Sequence, residues 1–447
     1  MWPAGCRGAR WRCPRRLPRG CWIRNVTAAR HAAFELLRAV RAGATFQAAR
    51  DAALGRHAAR DRRLAYELAA GVLRQQARLD RLLALASVDP RLHDVLRLGA
   101  YQLCVLTRVP PYAAVSTSVE LARQAAGEGA AGYVNRVLRA LARTAAAERR
   151  APGATHPRWL LHRWQRQFGA AETARLVAWN DARPVLTLQP ARWEDAVLRA
   201  RLQAGGCGVG EAPLGAGLQV VVPPSARGLR PTALPGFATG GFIVQDPAQA
   251  LACRYAAIPP GALVYDACAA PGGKAVLLER LGARVIAGDA RRDRLSRLAE
   301  TARRAGVAIR VALADLLTAP FGSAALDAVV VDVPCSATGT MARHPDARWR
   351  VSARLIGRLA ARQRALITAA APLVKRGGVL VYATCSLEPE ENSDIVNEFL
   401  ARHAEFTRAP VAGAVSPAVL TPDGDFQTLP QRHGMDGAYA ARLVRVR

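Results

Sequence analysis

Lysine is almost absent from this sequence. Only two of its 63 basic residues are lysines, Lys274 and Lys375, although the formal net charge at pH 7 is +29. The positive charge is therefore almost all arginine, and it is spread along the chain. Such a surface favours binding of a polyanion such as nucleic acid. The heavy use of Ala, Gly and Pro beside Arg also fits a biased codon composition, so the charge by itself leaves both interpretations open.

Long apolar runs and paired cysteines are missing as well. No stretch approaches the roughly eighteen apolar residues that span a bilayer, so no membrane segment is predicted. The nine cysteines show no C-x-x-C pair and no zinc-like spacing with histidine. This pattern predicts free thiols, no metal site and a reducing, cytoplasmic compartment.

The first 24 residues contain seven arginines and no acid. No continuous apolar segment follows them, so a secretory signal is not predicted. Residues 1–25 are interpreted as a disordered basic extension, or as the product of a start site placed too early.

Local patterns divide the rest of the chain into four parts. Helical periodicity predicts a compact all-α domain, with helix caps expected at Thr27, at Asp61 and at Asp89 before Pro90. The expected boundaries are 26–145 for this helical domain, 146–157 for a linker, 158–235 for a small α+β module and 236–447 for an α/β domain.

One stretch, Val264–Lys274, organises the α/β domain. An apolar strand ends at Asp266, a tight Ala-Pro-Gly-Gly turn follows, and a helix begins, which is typical of a nucleotide-binding sheet. The loop lacks the third glycine of G-x-G-x-x-G, so S-adenosylmethionine fits better than a nicotinamide cofactor. Lys274 lies in this loop, where the bulkier arginine is not expected to replace a compact ammonium.

Three further predicted strands end in acids, namely Val285–Asp289, Ile309–Asp315 and Leu326–Asp332. The carboxyl ends of parallel strands meet at one edge of a sheet, so these acids predict a ligand-binding rim. Asp289 is placed to bind both ribose hydroxyls of a nucleoside, and Asp315 to receive the adenine amine.

Two cysteines follow neighbouring strand ends, Cys335 after Asp332 and Cys385 after the strand Gly378–Thr384. Cytosine C5 becomes nucleophilic only when a thiolate adds to C6, and a base must then remove the C5 proton. Two thiols and an acid suit that chemistry. An amine methyltransferase would carry an aromatic residue after a Pro-Pro pair at this strand end, where the chain has Asp332-Val-Pro-Cys335 instead. Cys104, Cys207 and Cys253 are interpreted as inert buried residues.

These motifs closely resemble the RNA cytosine-5 methyltransferases of the Nol/Nop/Sun family. The resemblance rests on residues 266–274, 332–338, 344–349 and 383–392, together with 433–437. Residues 96–103, 108–110 and 134–138 look like the NusB-like domain that accompanies bacterial 16S ribosomal RNA methyltransferases of this family. The implied fold is an all-α NusB-like N-terminal domain, a small α+β module and an α/β Rossmann-like class I S-adenosylmethionine-dependent methyltransferase domain.

The resemblance also implies roles for individual residues. Cys385 is the nucleophile that attacks C6, Cys335 assists proton removal and release, and Asp332 hydrogen-bonds the base near N3 and borders the cofactor. The methionine part of the donor is surrounded by Cys268, Ala269, Ala270, Pro271, Gly272, Gly273 and Lys274. Asp289 then lies on the ribose and Asp315 near the adenine.

The chain departs from the family pattern at three places. Ala275 replaces a threonine, Ala337 replaces a glycine, and Ala438-Tyr439 replaces a Phe-Phe pair. None of these changes removes a reacting group, so activity is expected.

The expected activity is methyl transfer from S-adenosylmethionine to C5 of a cytosine in 16S rRNA. The RNA is either free or in an early small-subunit assembly intermediate, and the enzyme is expected to be a cytoplasmic monomer. Two alternatives remain: a transfer RNA cytosine-C5 methyltransferase, and a non-catalytic NusB-like RNA-binding or ribosome-assembly factor.

Overall fold

The computed structural model describes residues 19–55, 57–148, 153–222, 231–318 and 321–447. The described chain divides into two compact units, Met1–Thr155 and His156–Arg447. Residues 1–18 of the predicted basic extension lie outside the described part. Its last residues, from Arg19 onward, belong to the first helix, so the extension does not reach residue 25.

The N-terminal unit is helical throughout the part that the structure describes. Its helices are α1 (Arg19–Arg41), α2 (Phe46–Leu54), α3 (Ala59–Leu83), α4 (Pro90–Cys104), α5 (Pro111–Ala126) and α6 (Glu128–Glu148). Helix α4 is buried over most of its length, with α3, α5 and α6 packed around it. A Cβ on Gly71 of α3 would come within 2.0 Å of the Tyr101 ring, so only glycine permits this close helix contact.

Of the three predicted helix caps, one is confirmed. The Asp89 side chain accepts from the backbone N–H of Arg91, and Pro90 is the first helical residue. The predictions at Thr27 and Asp61 are wrong, because α1 already begins at Arg19 and α3 at Ala59. An acid anywhere in the first turn is stabilised by the helix dipole, so Asp61 marks the beginning of a helix without fixing its first residue.

The C-terminal unit alternates helices with strands. Its helices are α7 (Arg158–Phe168), α8 (Ala170–Asp181), α9 (Asp195–Ala204), α10 (Pro247–Tyr255), α11 (Gly273–Arg280), α12 (Arg292–Ala305), α13 (Ala347–Arg350), α14 (Ala353–Ala370), α15 (Ser393–Arg402) and α16 (Pro430–His433). Its strands are β1 (Leu186–Pro190), β2 (Gly208–Glu211), β3 (Leu218–Val221), β4 (Phe242–Val244), β5 (Leu263–Asp266), β6 (Arg284–Asp289), β7 (Arg310–Leu313), β8 (Leu326–Asp332), β9 (Val374–Thr384), β10 (Phe406–Arg408), β11 (Phe426–Thr428) and β12 (Ala438–Arg445).

Eight strands form one sheet in the order β10-β12-β9-β8-β5-β6-β7, with β11 also paired to β12. Strands β5 to β9 are parallel, whereas β12 runs antiparallel to β9. Strand β10 lies at one edge of this sheet. Strand β12 is interior, because it lies between β9 and β10 and its first six residues are buried.

Side chains alternate between two cores on the faces of this sheet. On β8, Val329 and Val331 join the core beneath α14 and α15, while Ala328 and Val330 join the core beneath α10, α11 and α12. Helices on both faces of a largely parallel sheet make the Rossmann-like architecture. The predicted fold class is confirmed.

A second, antiparallel sheet has the order β2-β3-β1-β4. Its core is formed with α9 by Leu188, Leu198, Leu202 and Phe242. Helices α7 and α8 pack elsewhere, because their buried residues share a core with Met341, Val351 and Leu387. The predicted module of 158–235 is therefore not one packing unit, since β4 lies beyond it and α7 and α8 do not cover its sheet. Within the part of the chain that the structure describes, no helix is long and apolar enough to cross a membrane.

Candidate active site

The loop between β5 and α11 folds back against β6. The N–H of Ala269 donates to the carbonyl of Gly288 at 2.9 Å, and the N–H of Gly272 closes a turn onto Ala269 at 2.7 Å. Gly272 has φ +103°, a conformation that glycine adopts without strain. The turn brings the N-terminus of α11 to the carboxyl edge of the sheet, where free N–H groups attract anionic ligand atoms.

The two acids expected to bind the nucleoside lie at the same edge. Strands β6 and β7 are parallel neighbours, so Asp289 and Asp315 follow adjacent strand ends. Oδ1 of Asp289 accepts from the N–H of Arg291 at 2.8 Å, and Oδ1 of Asp315 accepts from the N–H of Leu317 at 3.1 Å. Each carboxylate therefore holds a local turn with one oxygen, which fixes the orientation of its side chain.

Lys274 joins the loop to β8. Its ammonium donates to Oδ2 of Asp332 at 2.7 Å and also to Oε1 of Gln249 on α10. Burial by itself lowers the pKa of Lys274, but the charge of Asp332 outweighs it and the pKa lies above its ordinary value. Lys274 is thus a half-buried cation on α11 that bonds both α10 and β8.

Burial makes two other groups of the loop hold their protons more tightly. Asp266 is fully buried, which raises its pKa to about 7, and the nearby charge of Asp332 adds to this shift. Burial also raises the pKa of Cys268 to about 12, so this thiol stays protonated at neutral pH and is a poor nucleophile.

The two cysteines singled out in the sequence meet in the structure. Strands β8 and β9 are parallel, and Asp332 is paired with Ala383. Cys335 and Cys385 therefore both lie just beyond the carboxyl ends of these neighbouring strands. Their Sγ atoms are 3.1 Å apart, and the N–H of Cys385 donates to the Cys335 sulfur at 3.4 Å. The hydrogen bond with Cys385, followed by burial, raises the pKa of Cys335 well above its ordinary value.

A buried polar network behind the thiols was missed by the sequence analysis. Ser336 and Ser386, which each follow one of the cysteines, both donate to the carboxylate of Glu391. The repeated Cys-Ser pair was visible in the sequence. Its shared acceptor was not, because an acid is normally expected at the surface.

A second buried network ties the C-terminal motif to the site. Arg343 donates from Nε to Oδ2 of Asp436 at 2.8 Å and from Nη2 to Oδ2 of Asp246 at 2.5 Å. Burial raises the pKa of Asp436 to about 7. Asp436 belongs to the motif 433–437 and Arg343 directly precedes the motif 344–349, so the network joins two distant segments that carry the family resemblance.

The three departures from the family pattern have different structural settings. Ala337 has φ 60° and ψ 28°, the left-handed region that costs a residue with a Cβ about 1 kcal/mol or more. Ala275 is fully buried in α11, and Tyr439 donates to Oδ2 of Asp425 at 2.5 Å. Only the change at Ala337 therefore introduces backbone strain, close to Cys335.

Comparison with known proteins places this site in a family. The sequence model described as 16S rRNA methyltransferase RsmB/F matches residues 257–444, and the NusB family model matches residues 27–143. The chain is 35% identical over 453 residues to the probable ribosomal RNA small subunit methyltransferase B of Synechocystis sp., covering 94% of this chain and all of that protein. The chain belongs to the RsmB/F family. It is also 34% identical over 404 residues to the ribosomal RNA small subunit methyltransferase B of Escherichia coli O7:K1, covering 86% of this chain and 91% of that one.

Solved structures show the same fold at lower identity. The crystal structure of PH0851 covers 94% of this chain and 98% of its own, with a TM-score of 0.78 and 24% identity. NSun6 from Pyrococcus horikoshii, solved with SFG, covers 65% of this chain and 98% of its own, with a TM-score of 0.56 and 21% identity. As a member of the RsmB/F family, the chain is a methyltransferase that uses S-adenosylmethionine, as its sequence predicts.

Proposed function

We propose that this protein transfers a methyl group from S-adenosylmethionine to C5 of a cytosine in 16S rRNA. The observation that carries the chemistry is the pair of thiols 3.1 Å apart at the ends of β8 and β9, beside the Gly-rich loop. The ribosomal substrate is supported by the small-subunit RNA methyltransferases that the chain resembles. The RNA is free or in an early assembly intermediate, and the enzyme acts as a cytoplasmic monomer.

The residues at the edge of the sheet fit the methyl donor. Asp289 and Asp315 offer oriented carboxylates for the ribose and the adenine amine, and residues 268–274 offer backbone N–H groups and the helix N-terminus for the methionine carboxylate. When bound, S-adenosylmethionine supplies an electrophilic methyl group. Lys274 holds Asp332 in place, which sets the border between the donor and the base.

The two thiols have different roles in the reaction of the base. The Cys385 thiolate adds to C6, which makes C5 nucleophilic toward the methyl group. The C5 proton must then leave so that the C5–C6 double bond re-forms and Cys385 departs. Cys335 is placed to assist this release, because its sulfur lies 3.1 Å from that of Cys385 and so close to the C5–C6 bond of a base held by Cys385. Asp332 hydrogen-bonds the base near N3.

The helical domain and the small module have supporting roles in this proposal. The NusB-like helices bind the RNA, and the sheet β2-β3-β1-β4 with α9 presents it to the catalytic domain. The predicted linker 146–157 begins too early, because α6 continues to Glu148.

The test uses purified Cys335→Ala with S-adenosylmethionine and either deproteinised 16S rRNA or transfer RNA. If Cys335 is needed for release, a covalent protein–RNA band should persist on a denaturing gel with 16S rRNA. The band should vanish when Cys385 is replaced as well. A band with transfer RNA alone would keep the mechanism and change the substrate. If no band forms with either RNA, and the wild-type protein transfers no methyl group, a non-catalytic RNA-binding role is the better conclusion.

A further inference from the structure

One buried carboxylate connects the loops that carry the two cysteines. Glu391 lies in the turn after β9 and is 0% exposed. The hydroxyl of Ser386 donates to its Oε2 at 2.5 Å, and the hydroxyl of Ser336 donates to the same oxygen. The backbone N–H of Ser336 donates to Oε1 at 2.9 Å. The residue after each thiol is therefore bonded to the same side chain.

A further donor reaches the carboxylate from the helix behind the loops. Nε2 of Gln363 on α14 donates to Oε1 of Glu391 at 2.9 Å, and also to the carbonyl of Pro334 at 2.9 Å. The groups around Glu391 thus all donate. Only a carboxylate can accept from so many at once, since a glutamine in its place would offer two donors of its own.

The two loops depend on Glu391 to different extents. The Cys385 loop makes one bond to Glu391, through the hydroxyl of Ser386, and Asn392 also donates to the carbonyl of Ser386 at 2.9 Å. The bond from the N–H of Leu387 to the hydroxyl of Thr338, at 2.9 Å, joins the two loops to each other. The Cys335 loop is bonded to Glu391 through both the backbone and the side chain of Ser336. Loss of the carboxylate should therefore release the Cys335 loop first.

We propose that Glu391 is a positioning residue that fixes the separation of the two thiols. Its effect on the reaction rests on the proposed function, whereas its effect on the thiol separation does not. With the carboxylate in place, both sulfurs reach the C5–C6 bond of one base. Without it, Cys335 leaves its position, and release slows more than the attack by Cys385.

The matched control is a second buried glutamate in the same loop. Glu388 is also 0% exposed, but its carboxylate accepts mainly from Arg163 and from Nε1 of Trp164 on α7, and it reaches the Cys335 loop only at Thr338, without a bond to Ser336 or Ser386 from its side chain. The variants Glu391→Gln and Glu388→Gln make the same chemical change. If Glu391 only stabilised the loop, both variants would behave alike.

The first measurement needs no RNA. Diamide oxidises the two thiols to a disulfide and is itself reduced to the hydrazine, taking up both protons. Peptide mapping follows the Cys335–Cys385 cross-link separately from other cysteines. We expect Glu388→Gln to cross-link at the wild-type rate and Glu391→Gln to cross-link about ten-fold or more slowly, because the sulfurs are out of reach. An unchanged rate in Glu391→Gln overturns the proposal.

A milder variant covers the case in which Glu391→Gln does not fold. Ser336→Ala removes one donor, keeps the carboxylate buried and leaves the backbone bond in place. Loss of one such hydrogen bond should slow the cross-link by about two- to ten-fold. A wild-type rate in this variant counts against the proposal.

The second measurement follows the reaction with 16S rRNA and S-adenosylmethionine. In Glu391→Gln we expect methyl transfer to fall about ten- to a hundred-fold, while the fraction of protein trapped as the covalent RNA adduct rises. In Glu388→Gln the ratio of adduct to turnover should stay at the wild-type value. An active wild type with an unchanged ratio in Glu391→Gln overturns the positioning role. If the wild type makes no methylated RNA, the proposed function is overturned. The cross-linking rate then tests by itself whether Glu391 fixes the separation of the two thiols.

Discussion

The two lysines of this chain provide a controlled test of the loop. Lys274 has a side chain that is 12% exposed and bonds Asp332, whereas Lys375 is 45% exposed and bonds Asp327 at the surface. Both are paired with an aspartate at 2.7 to 2.8 Å. The same substitution to arginine therefore changes the same kind of ion pair in two environments.

The expected cost differs because the space around the two ammonium groups differs. A guanidinium is larger and planar, and Lys274 lies enclosed between Gln249 and Asp332. Overpacking of this kind costs about 1–3 kcal/mol, so Lys274→Arg should lower the free energy of unfolding by that amount. Lys375→Arg should change it by no more than about 0.5 kcal/mol, as surface substitutions usually do.

Urea unfolding, monitored by tryptophan fluorescence, measures this difference in stability. Titration calorimetry measures how strongly each variant binds S-adenosylmethionine. We expect Lys274→Arg to bind the donor at least about ten-fold more weakly, since a loss of about 1.4 kcal/mol corresponds to that factor. The reasoning is refuted if Lys274→Arg matches Lys375→Arg in both stability and donor affinity. A compact ammonium would then not be what the site requires.

Three further predictions follow from other parts of the structure. Ala337→Gly should raise the free energy of unfolding by about 0.5–1 kcal/mol, because it relieves the strain of an alanine in the left-handed region. Ala182→Gly should lower the free energy of unfolding, because Ala182 has φ −69° and ψ 158°, which alanine adopts without strain. If urea unfolding shows that both variants lose the same amount of stability, the strain assigned to Ala337 is contradicted. The pKa of Asp266 is about 7 in the folded protein and about 3.9 in the unfolded chain, so its contribution to the free energy of unfolding falls as the pH rises from about 4 to 7 and is level above. The free energy of unfolding of Asp266→Asn should therefore rise relative to that of the wild type by up to about 4 kcal/mol across this range. A difference between the two proteins that does not change with pH would refute the raised pKa of this carboxyl. Arginine contacts to phosphates should make the logarithm of RNA affinity fall by about 0.7–0.9 per contact per decade of salt, which filter binding at several salt concentrations measures; a flat response would exclude an electrostatic interface.

Local sequence determined the elements that build the site. The apolar strand, the Pro-Gly-Gly turn and the following helix form within residues 263–280, where neighbours along the chain decide the conformation. The meeting of Cys335 and Cys385 was also predictable, because alternating strands and helices force a parallel sheet whose carboxyl ends share one edge. The cap at Asp89 depends on its own turn and was predicted for the same reason.

Only the tertiary structure decided how distant segments pair. The interior place of β12, the packing of α7 and α8 beside Met341, and the short strand β11 depend on contacts between residues far apart in sequence. Glu391 shows most clearly what the local sequence could not predict. Its place in the sequence indicates a solvated acid, but the fold surrounds it with donors from Ser336, Ser386 and Gln363. A buried carboxylate is stable only when such donors converge on it, and that convergence exists only after the sheet and α14 have packed together.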